Sequence, residues 1–225
     1  MGIELLDPDR PDDAAAVAEL HVAYLPHSLI VKLGRRFLTK YYYSTLVRDG
    51  LIGCTICRVD GRICGFIAYT PYPLDFMMRG VRRRYWSVAW ILGASVLERP
   101  TLIADIVSVL RLIYLRGRES RETPASDMGE GISIATIPEY RDHIPLGGNM
   151  RLPVRLLHAM FEQLRASGRS RAYVLVESSN RASNVFCASM GGRREKIHHD
   201  GTPTHRFTFD LGNSLDQANV KAVKT

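Results

Sequence analysis

Cysteine is scarce in this chain, and no stretch of it is both long and apolar enough to cross a bilayer. The four cysteines, Cys54, Cys57, Cys64 and Cys187, do not fall in the paired spacing of a zinc site, and nothing in their arrangement indicates secretion. No apolar signal-peptide core follows Met1, because Glu4, Asp7, Asp9 and Arg10 come too soon. The expectation is a reduced, cytoplasmic protein. The two most apolar segments, residues 85–97 and 101–115, fall short of the roughly 18 uncharged residues that a spanning helix needs. Asp105 and Arg111 also interrupt the second. There is no internal repeat and no low-complexity segment.

What is present is ordinary for a globular protein: 225 residues, 46% hydrophobic and 24% charged, enough for one large domain or a domain with an insertion. The formal charge of +7 suits an anionic partner. Charge alone does not separate a polyanionic cofactor from nucleic acid or lipid headgroups. Nucleic acid is not expected, since no basic groove interleaved with aromatic residues is visible and Arg82 to Arg84 stand beside an apolar helix.

The stretch from Ile132 to Ser167 organises the rest. Ile132, Ile134 and Ile137 are strand-type residues, and Pro138 stops the ladder because it has no N–H to donate. After the loop 142–149, Leu152, Leu156, Leu157, Met160, Phe161 and Leu164 recur at helical spacing, with Gly168 where a C-terminal cap belongs. Strand, glycine loop and helix N-terminus together offer a pyrophosphate free N–H groups and a positive dipole end. A second strand, residues 172–177, leads into a short helix that carries Asn180, Ser183, Phe186, Cys187 and Gly191.

These two pieces together resemble the GNAT superfamily of acyl-CoA-dependent N-acetyltransferases. The family's pattern is a strand ending near Pro-x-Tyr-Arg, a glycine loop and helix, a second strand, then Asn-x-x-(Ala/Ser)-x-x-(Phe/Leu)-Tyr-x-x-x-Gly. The resemblance covers residues 3–211 by element order and is sharp over 130–192. It implies an α/β (α+β) fold with a mixed, mostly antiparallel sheet whose two central strands splay apart, flanked by helices. That gives one acyltransferase domain over residues 1–211, interrupted by a helical insertion at 71–129, with a flexible tail at 212–225. The implied cofactor is acetyl-CoA or another acyl-CoA, and the implied acceptor is a primary amine.

By the same resemblance, the backbones of Thr136 and Ile137 bind the pantetheine arm. Arg141 fits the first position of the phosphate loop. Aligned backward from Leu156, the loop places Arg151 and Pro153 where the family has glycines. Aligned by its glycines, Gly147, Gly148 and Asn149 form the turn, which is the preferred reading because Gly-Gly-Asn tolerates positive φ. Met150, Arg151 and Arg155 then stand near the phosphates, with solvated helix charges as the alternative role of the two arginines. Asn180, by the resemblance, bonds pantetheine or the site water and so counts as catalytic as well as cofactor-binding, and Asn184 joins the cofactor-binding set; an Asx turn or helix cap is the alternative role for Asn180. Glu130 is the expected base, with His143 and Glu177 as alternatives. The family's tyrosine, which protonates the departing sulfur, is replaced by Cys187, either an acid in its place or a small core residue. A CoA-binding module without turnover is the alternative function.

Elsewhere, a first strand at 3–6 leads to a helix that Asp12 or Asp13 can cap. Ser28 starts a short helix, and a further one spans residues 33–47. Tyr24, Tyr41 and Tyr42 are either core or, by the resemblance, part of an acceptor pocket. Asp60-Gly61 marks a two-residue hairpin turn, which places Cys57 opposite Cys64 as a redox pair or as two small core residues. Segments 85–97 and 101–115 read as a helical hairpin covering the domain itself, a second subunit in a homodimer, or the membrane surface. Residues 119–128 read as a polar link. A terminal hairpin follows, and His198, His199 and His205 are read as surface residues with no metal site.

Overall fold

The computed structural model describes residues 2–73, 75–122, 127–144, 150–199 and 201–212. Seven strands form one sheet in the order β1-β2-β3-β4-β5-β7-β6. They are β1 (Gly2–Leu5), β2 (Gly53–Val59), β3 (Arg62–Thr70), β4 (Met128–Thr136), β5 (Arg171–Glu177), β6 (Arg193–His199) and β7 (Thr202–Asp210). Every neighbouring pair is antiparallel except β4–β5. The expected mixed, mostly antiparallel sheet flanked by helices is what the chain forms.

The β2–β3 hairpin turns at Asp60 and Gly61, whose φ values of 48° and 81° suit the tight turn that matches strand twist. Val59 faces Arg62 as expected, but Cys57 does not face Cys64. A bulge makes Cys64 the extra residue, so Cys57 pairs with Gly65 and the Cys64 thiol donates to the Cys57 carbonyl at 3.3 Å. All four cysteines are free and buried.

Alternation along β3 divides the core. Phe66 and Ala68 join the cluster beneath α1 (Pro11–Tyr24), while Ile67 and Tyr69 join the cluster beneath α7 (Leu152–Ala166) and α8 (Arg181–Ser189). Helix α7 can lie close to the sheet because β4 has glycines under it. A Cβ on Gly129 would stand 2.5 Å from a Leu164 methyl, and one on Gly131 would stand 2.8 Å from the Met160 sulfur. Gly168, at φ 78°, ends α7 where the sequence places its cap. Neither Asp12 nor Asp13 caps α1. Arg10 holds that position, Pro11 begins the helix, and Asp13 instead accepts from Arg58 at 2.8 Å.

The expected helix at 33–47 is α2 (Arg35–Phe37), a π-helical segment (Leu38–Thr45) and α3 (Leu46–Arg48) in succession. Tyr41, Tyr42 and Tyr43 are all buried, although consecutive helical positions diverge, because the segment is packed on two sides: Tyr43 bonds His21 of α1, and the Tyr41 hydroxyl lies against Gly80. The Ser44 and Thr45 hydroxyls bond the carbonyls of Thr39 and Lys40, five residues back.

The insertion contains α4 (Phe76–Arg83), α5 (Tyr85–Glu98) and α6 (Leu102–Glu122). The expected helical hairpin is present, but α6 runs through the start of what reads as a polar link. Val88, Ile91 and Leu92 of α5 and Ile106 and Val109 of α6 enter the α1-side core. Of the expected coverings, the inner face of the hairpin therefore serves the chain's own core. The tail from residue 213 lies outside the described residues.

Candidate active site

Strands β4 and β5 run parallel and pair over only four positions, from Met128–Arg171 to Gly131–Val174. Beyond that point Ser133 to Thr136 pairs only with β3, and Leu175 to Glu177 only with β7. The parting has a local cause. Gly131 pairs with Tyr69 and Ser133 with Ala68, so Ile132 is an extra residue in β4, and such a bulge bends its strand. The paired end is clamped. Arg171 donates to Asp127 at 2.7 Å, and Ser170 bonds the same carboxylate. Those two partners hold the Asp127 carboxyl down at about 2.

The open edge of β4 supplies backbone groups. The Ile137 N–H donates to the Cys64 carbonyl at 2.8 Å, which directs Ile137 toward β3. Peptide groups alternate between edges along an antiparallel ladder, so the N–H and C=O of Thr136 and Ile134 face the cleft. This corrects the expectation for Ile137, whose donor is committed, and adds Ile134. The sequence could not show it, because the alternation is fixed by which residue meets Cys64.

Helix α7 starts at this open end. Of its first-turn donors, the Leu152 N–H goes to the His143 carbonyl at 3.0 Å and Pro153 has none. Val154 is left as the first-turn N–H with no intrahelical acceptor. Arg151 is exposed and pairs with Asp142 at 3.1 Å. Arg141 is exposed in the turn after β4, and Met150 is half-buried. Gly147, Gly148 and Asn149 lie outside the described residues, so the expected glycine turn does too.

On the β5 side, Asn180 caps α8, its side chain accepting from the Ser183 N–H at 3.1 Å. Asn184 donates to the carbonyls of Glu177 and Asn180 at 2.9 and 2.7 Å. Its oxygen is then the group 2.6 Å from His205 Nδ1, which makes that nitrogen the protonated one. Sequence reasoning placed His205 on the surface; it is half-buried and ties β7 to α8. Cys187 is buried in the α7-side core, and burial pushes its thiol up to about 11.

Glu130 lies in the paired part of β4, opposite Tyr173 and Thr70. It is half-buried and within electrostatic range of the Tyr42 phenol, which places it on the α1 side of the sheet. Cys187 lies on the other side. Tyr41 and Tyr42 are core residues, and Tyr24 is 40% exposed. His21 is fully buried with Nδ1 2.6 Å from the Tyr43 hydroxyl, and it stacks on Phe66 at 5.8 Å. Burial lowers its pKa to about 4, so it is neutral near pH 7. His143 and Glu177 are exposed. Among the described residues no group of three or more His, Cys, Asp or Glu is placed to hold a metal ion, and no helix is long and apolar enough to cross a membrane.

The fold as a whole is shared with solved acetyltransferases. An N-acetyltransferase from Staphylococcus aureus Mu50 superposes with a TM-score of 0.54 at 11% identity, covering 93% of this chain and 98% of that one. The chain has the GNAT fold. A ribosomal-protein-alanine N-acetyltransferase from Brucella melitensis matches at TM-score 0.54 and 12% identity, over 93% of this chain and 99% of that one. The PaiA N-acetyltransferase from Thermoplasma acidophilum, in complex with coenzyme A, matches at 0.51 and 13%, again over 93% and 99%. No protein-family model and no curated protein matches the chain. The likeness to other GNAT-fold proteins is therefore one of backbone arrangement, with few residues in common.

Proposed function

We propose that the protein is an acyl-CoA-dependent N-acyltransferase that acetylates, or otherwise short-chain acylates, a primary amine on a small-molecule, sugar or lipid-linked acceptor. The observation that carries this reading is the end of β4–β5 pairing at Gly131 and Val174, which leaves the edge of β4 open beside the start of α7. That edge fits an extended, amide-bearing arm, since it presents backbone donors and acceptors at strand spacing. A solved structure of the same fold carries coenzyme A.

Bound acyl-CoA supplies the activated thioester. The chain's own groups divide the remaining work. Thr136 and Ile134 hold the arm through backbone N–H and C=O groups. Arg141, Gly147, Gly148, Asn149, Met150 and Arg151 form the phosphate side, together with the Val154 N–H; Arg151 exchanges Asp142 for a phosphate there. Asn180 and Asn184 set the position of α8 against the end of β5. Glu130, on the α1 side, draws the amine's proton through water. Cys187, kept protonated by burial, is the acid in this reading and returns a proton to the departing sulfur.

The test has two arms. Acetyl-CoA at about a hundred times its Kd stabilises a binding protein by about 2.7 kcal/mol, which a melting curve reads directly. Thiol release with a panel of primary amines then reads turnover. No rise in Tm overturns the cofactor assignment. Binding without thiol release favours a second reading, a CoA-binding module, for which the buried cysteine at the family's tyrosine position is the supporting observation.

A further inference from the structure

The α5–α6 hairpin has a second face. Its inner side fills the core, but the outward stripe of α5 carries Trp86, Trp90 and Leu97, which are 83%, 78% and 86% exposed. Ile103 and Val107 continue the exposed apolar surface on α6. The residues of each helix recur at four- or seven-residue spacing, so each set forms one stripe. Trp86 and Trp90 are the only tryptophans in the chain. An exposed surface of this kind marks an interaction site.

The charges around it identify the partner. Arg82 and Arg83 end α4 just before Trp86, Arg99 follows Leu97 in the turn between the helices, and Arg111 lies on α6 between Val107 and Tyr114. All four are exposed, and none has an ion-pair partner among the described residues. The nearby arginines that do have partners point elsewhere: Arg36 pairs with Glu98, and Arg84 with Asp49. We infer that this face docks on an anionic phospholipid surface, with the hairpin lying in the interface plane, the indoles at headgroup depth and the free guanidiniums on lipid phosphates. A two-fold dimer through the same face fits poorly. It would set the face against itself and bring unpaired arginines together, with Asp105 as the nearby uncommitted carboxylate. Among the described residues neither helix of the hairpin is both long and apolar enough to span. This inference does not depend on the acyl-transfer reading, because lipid binding is measured without cofactor or amine.

The test uses the full chain and vesicles of phosphatidylcholine with about a third phosphatidylglycerol, a strongly anionic surface. The expected result is co-sedimentation with these vesicles and a blue shift of tryptophan emission, both much weaker with phosphatidylcholine alone and weakened by salt. Arg82→Glu with Arg83→Glu is expected to reduce partitioning by roughly 30-fold or more, at about a factor of five per cation removed. Trp86→Ser with Trp90→Ser is expected to reduce it on the order of tenfold, with an unchanged melting curve because both indoles are in solvent. Protein that stays in the supernatant at every lipid concentration overturns the inference, as does binding that neither double variant weakens. A dimer in sedimentation velocity that the tryptophan variant dissolves would make the face an interface between copies instead.

Discussion

Gly131 and Val174 are the last residues at which β4 and β5 pair, and a side chain on Gly131 would meet Val174 itself. An added Cβ would lie 2.7 Å from Val174 Cγ1 and 2.8 Å from the Met160 sulfur. The narrow end of the cleft and the seat of α7 therefore depend on the same missing side chain. Gly131→Ala is expected to cost about 1–3 kcal/mol by overpacking and to reduce stabilisation by acetyl-CoA as well. Urea unfolding with and without acetyl-CoA separates the two effects.

Glu130→Gln removes the proposed base and keeps the shape. The expected outcome is a fall in thiol release by about 10²–10⁴-fold, with acetyl-CoA still raising Tm as in the native protein. Unchanged turnover would pass the role to another group.

The thiols offer a check on Cys187. Burial holds its pKa near 11, so little thiolate exists at neutral pH, and the other three cysteines are buried too. Maleimide is expected to label none of the four in the folded protein within the time that labels all of them in guanidinium. Rapid labelling of Cys187 in the folded protein would place it at an accessible, activated position.

His21 makes stability depend on pH. Its folded pKa is about 4 against an ordinary 6.5, so between these values the unfolded chain holds more protons. Stability is then full above about pH 6.5 and falls as pH drops toward 4, by about 3 kcal/mol from this residue. In His21→Leu that part of the dependence is expected to vanish. Urea denaturation from pH 4 to 7 measures it.

Asn184 joins three elements, and Asn184→Ala leaves His205 Nδ1 without its acceptor, while the Glu177 carbonyl keeps the Asn180 N–H at 3.0 Å. The expected loss is about 1–3 kcal/mol. Double-mutant analysis with His205→Ala is expected to show coupling between the two side chains.

Much of this was legible in the sequence, because it follows from local chemistry. Element order came from periodicity. Asp60-Gly61 specifies its turn because both residues accept positive φ, and the apolar stripe from Leu152 to Leu164 specifies a helix lying on a sheet. The motif around Asn180 pointed to a strand exit and a helix cap, which is what Asn180 makes.

Other features arise only when distant strands meet. No local signal says that Ile132 is the extra residue of β4 or Cys64 that of β3, since a bulge is counted against the partner strand. The bulge at Ile132 parts β4 from β5, and the alternation fixed by Cys64 turns Ile134 and Thr136, not Ile137, toward the gap. The π turn that carries three adjacent buried tyrosines is equally invisible to a helical wheel drawn at 3.6 residues per turn. Amino-acid order determined which segments become strands and helices. Pairing between segments far apart in the chain decided which backbone groups are left over, and those groups are what the cleft is made of.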